Sequence, residues 1–138
     1  TREALVEALY RRELADLCAS ADDLLATHVP EQALRAWMDR FVTYFATKHG
    51  MAAALRAAVS PDSNLFGHTY RQLVTALDAL LRAGAAAGTI RADVPPDDVV
   101  LALRGAWAAA EAPDGSARAG RLLDLLMDGL RYGAPGAS

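Results

Sequence analysis

Trp37, Phe41, Tyr44 and Phe45 recur at steps of three and four, the spacing that stacks side chains along one side of an α-helix. Rings in such a run either fill a core or wall a pocket. A pocket of that kind takes a mostly apolar molecule and orients it with a few polar groups. Tyr70 and Trp107 add two further rings, and Arg104 stands one turn before Trp107. A guanidinium there could hold a carboxylate, stack on a ring, or pair with a surface acid. Residues suited to covalent or metal chemistry are few. Cys18 is the single cysteine, has no base beside it in sequence, and sits where a small core hydrophobe would serve equally well. His28 and His49 fall near helix ends, and His68 faces either a cavity or solvent. Zinc-type Cys/His spacing, the Glu-x-x-His of bundle metal sites, a glycine-rich phosphate loop and a G-x-S-x-G elbow do not occur. These residues point to binding rather than catalysis, with no cofactor and no metal.

The elements that must position these rings are helical. Hydrophobic residues make up 53% of the 138 residues, with alanine and leucine prominent and β-branched residues few, which favours helix throughout one domain, residues 1–138. Thr1 caps a first helix running to His28, with Val6, Tyr10, Leu14, Leu17, Ala21 and Leu24 on one face. Pro30-Glu31 opens a second, which carries the ring run and closes at Lys48-His49-Gly50. A short helix over Met51–Val59 stops at Ser60-Pro61. Asp62-Ser63 then caps a longer helix through Ala87, whose buried stripe reads Phe66, Tyr70, Leu73, Leu77, Leu80 and Leu81. Two more helices, about Pro96–Ala110 and about Ser116–Tyr132, flank Pro113-Asp114-Gly115. Leucines and valines extend around much of their circumference, so both need covering on two sides. Gly105 and Gly129 lie inside them, at a cost of about 1 kcal/mol each unless close packing offsets it.

Charge and apolar runs narrow the function. A net charge of −3 argues against this chain itself gripping nucleic acid through a basic surface. One cysteine fits a reducing cytoplasm, and no apolar run approaches membrane-spanning length.

The stretch Ala83-Gly84, Gly88, Ile90-Arg91, Asp93-Val94 and Asp98-Val99 gives a helix-ending glycine, a buried isoleucine, an Arg-x-Asp and a proline-started helix at fixed offsets. It resembles the junction between helices seven and eight of TetR/AcrR-type transcriptional regulators. Thr1-Arg2-Glu3-Ala4-Leu5 resembles the start of that family's helix four, immediately after its recognition helix. Arg35-Ala36-Trp37-Met38-Asp39-Arg40-Phe41, followed by Lys48-His49-Gly50-Met51, is similar to the SbtR-like subgroup.

The resemblance covers essentially the whole chain. It implies an all-α, six-helix C-terminal regulatory domain of a repressor, with the helix-turn-helix domain lying outside this sequence. It also implies a small hydrophobic or aromatic effector held by residues on the pocket-lining helices. Helix position and chemistry select Trp37, Phe41, Tyr44, Phe45, Tyr70, Arg104 and Trp107. It implies a homodimer joined as a four-helix bundle by the last two helices, for which Val100, Leu103, Leu122, Leu126, Gly129 and Leu130 are the candidates. Operator DNA is reached only through the helix-turn-helix domain, with Arg2 placed near a phosphate. Read without the resemblance, the same residues also fit a stand-alone helical interaction module whose rings serve only as core.

Overall fold

A computed structural model describes residues 1–47 and 65–136. Among them are five helices and no strand: α1 Arg2–Thr27, α2 Pro30–Thr47, α3 Leu65–Ala86, α4 Pro96–Glu111 and α5 Gly115–Arg131. The short helix expected over Met51–Val59, its Ser60-Pro61 stop and the Asp62-Ser63 cap lie outside the described residues, as do Lys48, His49 and Gly50. No described helix is long and apolar enough to cross a membrane.

Local signals set the helix ends. The Thr1 hydroxyl accepts from the Ala4 N–H at 3.1 Å, satisfying a donor that has no partner within α1. Pro96 opens α4, and Asp97 and Asp98 place two acids in its first turn, where the helix dipole favours them. Gly88 follows α3 at φ +78, a left-handed conformation that glycine adopts without steric cost. The chain then doubles back so tightly that the Thr89 and Ile90 amides both donate to the Gly84 carbonyl, at 3.0 and 3.2 Å. Ile90 is thereby driven into the core and fully buried. The Arg91 amide donates to the Leu130 carbonyl at 2.8 Å, which ties this turn to the end of α5.

Packing centres on α2, which touches every other described helix. By contrast α1 meets only α2 and α3, and α5 meets only α2 and α4. Leu14, Leu34, Met38, Leu77, Leu103 and Leu123 are among the fully enclosed side chains of the shared core. The α1 face expected from its spacing is buried from Leu14 to Leu24, whereas Val6 and Tyr10 are only half-buried.

On α3 the buried face is Leu65, Thr69, Leu73, Ala76, Leu77, Leu80, Leu81 and Gly84. Phe66 is therefore rotated outward and 41% exposed, against the expected stripe, and its ring meets Tyr10 edge-on at 6.3 Å between centroids. Adjacent apolar residues Leu65 and Phe66 leave the helix phase ambiguous, and the core takes the first.

Candidate functional site

The rings chosen on α2 come together with Trp107 of α4. Trp37–Phe41, Phe41–Phe45 and Phe45–Trp107 centroids lie 5.8, 4.7 and 4.9 Å apart, all tilted, and Tyr44 meets Phe45 edge-on at 5.0 Å. Offset and edge-on contacts of this kind suit the quadrupoles of aromatic rings. Burial grades along the run. Trp37 and Phe41 are enclosed, whereas Tyr44, Phe45 and Trp107 are partly buried.

Trp37 is an anchor as well as a ring. Its indole N–H donates to the Leu17 carbonyl of α1 at 3.0 Å, so the one polar atom of a fully buried side chain is satisfied. The Trp107 indole N–H donates to the Glu111 carboxylate one turn on. Burial first, and then the neighbouring Glu13 carboxylate of α1, push the Tyr44 phenol above its ordinary range, which keeps it protonated at neutral pH. Glu13 carries no site signal in the sequence. Nothing local reveals that an acid on α1 will face a phenol on α2.

Tyr70 and Arg104 lie at the seam between α3 and α4. The Tyr70 hydroxyl donates to Asp97 Oδ1 at 2.5 Å, and this bond raises the phenol, opposed by the nearby charge of Arg104. Arg104 itself is exposed. Arg2 is exposed in the first turn of α1.

The remaining chemistry-bearing residues are quiet. Burial pushes the Cys18 thiol up to about 11, so at neutral pH it is a thiol and not a nucleophilic thiolate. Cys18 lines a groove of about 470 Å³ between α1 and α3, together with Asp22, His68 and Arg71 and a wall of alanines. Among the described residues no group of three or more His, Cys, Asp or Glu is placed to hold a metal ion.

The residues expected at a dimer face divide sharply. Val100, Leu103 and Leu130 are 2%, 0% and 3% exposed, packed inside the chain's own core. Leu122 and Gly129 are exposed and Leu126 is half-buried. They are joined by Leu101 and Leu125, 61% and 67% exposed, and by Tyr132 just past α5 at 79%. A Cβ added at Gly105 or Gly129 would meet nothing within 4 Å among the described residues. Part of the outer side of α4 and α5 is thus an apolar stripe. The sequence shows that these helices are apolar on several sides, but which side faces inward depends on α2.

Residues 29–132 match the family described as Transcriptional regulator SbtR-like, C-terminal domain. No curated protein matches the chain. The solved structure of the TetR transcriptional regulator SCO0520 from Streptomyces coelicolor superposes with a TM-score of 0.89 at 49% sequence identity, over 97% of this chain and 77% of that one. With a family match over most of its length and the same fold in a relative this similar, the chain belongs to the TetR family of transcriptional regulators and carries its SbtR-like C-terminal domain.

Proposed function

We propose that this domain binds a small, mostly apolar or aromatic effector and dimerises through the outer side of α4 and α5. Effector binding then weakens the hold of a helix-turn-helix domain, outside these residues, on its operator in the cytoplasm. The work is done by binding, and no bond is made or broken. The observation that carries the effector site is the graded ring cluster. Its floor, Trp37 and Phe41, is enclosed, while Tyr44, Phe45 and Trp107 remain partly buried. Rings in contact with one another offer an apolar wall, with the Tyr44 phenol beside them as a polar group, the usual make-up of a small-molecule site. Tyr44 belongs to the ring cluster, whereas Arg104 is exposed at the α3–α4 seam.

A thermal-shift screen of planar aromatic compounds tests this reading. A compound present at one hundred times its dissociation constant stabilises the fold by about 2.7 kcal/mol. Phe45→Ala should abolish the shift, and Arg104→Ala should leave it in place. A shift that survives Phe45→Ala but vanishes with Arg104→Ala would move the site to the α3–α4 seam.

A further inference from the structure

Arg35 is one of the side chains through which α2 grips α5. Its Nε donates to Asp124 Oδ1 at 3.0 Å, and one terminal nitrogen donates to the Gly120 carbonyl at 3.2 Å. The other terminal nitrogen lies 2.6 Å from Asp39 Oδ1 on α2 itself, one turn along. A planar fork with two acceptors on α5 and an ion-pair contact on α2 holds both distance and orientation, which a lysine ammonium on a flexible stem does not. A second ion pair, Arg131 Nε to Glu31 Oε2 at 2.8 Å, joins the far end of α5 to the first turn of α2. Between the two clamps, Leu123 and Met127 of α5 are buried in the core.

Two residues along α2 from Arg35, Trp37 grips the opposite neighbour through its bond to the Leu17 carbonyl of α1. Among the described helices α1 and α5 do not touch, and α2 is the one that meets both. We infer that α2 is a connecting rod between α1 and the exposed stripe of α5, with Trp37 holding one end of the linkage and Arg35 the other. A change of packing at the stripe then reaches α1 through Arg35, α2 and Trp37. Arg35 is a positioning residue in this scheme and touches no ligand. The inference rests on the reading of the α4–α5 stripe as the dimer face. A linkage of this kind is established by coupling between sites rather than by a chain of contacts.

Hydrogen exchange on four chains supplies that coupling: wild type, Leu125→Asp, Arg35→Met and the double variant. Leu125 is 67% exposed, so its replacement removes an apolar contact from the stripe without opening the core. With Arg35 in place, Leu125→Asp should turn dimer into monomer and speed exchange in α2 and in the Leu14–Leu24 half of α1 by about threefold or more. With Arg35→Met the same change of oligomeric state should leave exchange in α1 unaltered. Arg35→Lys, which keeps the charge but not the fork, should fall between and guards against a general loss of fold in the methionine variant. Equal sensitivity of α1 with and without Arg35, or no sensitivity in either, overturns the linkage while leaving the dimer standing. A Leu125→Asp chain that sediments like the wild type overturns the reading of the stripe, and the inference with it.

Discussion

Gly84 shows how much one missing side chain decides. A Cβ built there would lie 2.4 Å from Cγ1 and 2.9 Å from Cβ of Ile90, which is itself fully buried under the α3–α4 turn. Alanine is the better helix former by about 0.5–1 kcal/mol. The overlap involves the stem of a packed residue and not a flexible tip, so it outweighs that gain. Gly84→Ala should therefore destabilise the domain by about 1–3 kcal/mol in denaturant unfolding. A neutral or stabilising result would mean that Ile90 is free to move.

In the same turn Arg91 donates to Asp93 through Nε at 2.7 Å and a terminal nitrogen at 2.9 Å. This guanidinium holds the Asp93 carboxyl down to about 2, from its ordinary value of 3.8. A depressed carboxyl stabilises the fold above its unfolded value, and that contribution is lost as pH falls through the folded one. The pair is exposed, so its contribution is small. Wild type should exceed Asp93→Asn in melting temperature by a constant margin at neutral pH, and the margin should shrink between pH 3.8 and about pH 2. A margin that instead grows toward acid pH would remove Arg91 as the cause.

At the scale of helices, Trp37 is the test of how α1 and α2 are held together. Its N–H to the Leu17 carbonyl joins two helices within the buried core. Trp37→Phe keeps a ring but loses the donor and part of the volume. The Leu17 carbonyl is not stranded, because the Ser20 hydroxyl still donates to it at 2.6 Å. The expected loss is about 1–3 kcal/mol, set more by packing than by the bond. Equilibrium unfolding of the two chains checks it.

Helix starts, the Gly88 reversal and the run of rings on α2 are readable from sequence because each depends on neighbours a few positions away. The phase of α3 is not, since Leu65 and Phe66 are adjacent and only the surrounding core chooses between them. The same holds for Arg35, whose acceptors lie 85 and 89 residues further along the chain. Within the candidate site, the ring-to-ring contacts of α2 follow from helical spacing. The approach of Glu13 to Tyr44 depends on how α1 crosses α2, which no local pattern encodes.

The whole molecule leaves an apolar strip uncovered, and two glycines in it give the strip a signature. Leu101, Leu122, Leu125 and Tyr132 are exposed, and Gly105 and Gly129 lie inside α4 and α5 with no neighbour within 4 Å among the described residues to require them. Helical glycine is unfavourable on its own. In the proposed dimer, a second copy packed backbone-close against these positions accounts for it, within an interface of about 1,600 Å² in total. Gly129→Ala then acts in opposite directions on the two states. In a chain made monomeric by Leu125→Asp, it should raise stability by about 0.5–1 kcal/mol, because the added methyl meets open space and the helix gains propensity. In the dimer the same methyl enters the contact, so the dimer dissociation constant should rise. Sedimentation equilibrium and urea unfolding, run on wild type, Gly129→Ala, Leu125→Asp and the Leu125→Asp/Gly129→Ala double variant, separate the two effects. An exposed helix with no partner would show the gain in stability alone, with a single monomeric species at every concentration. A gain in monomer stability accompanied by weaker self-association is the pattern that a closely packed second copy produces.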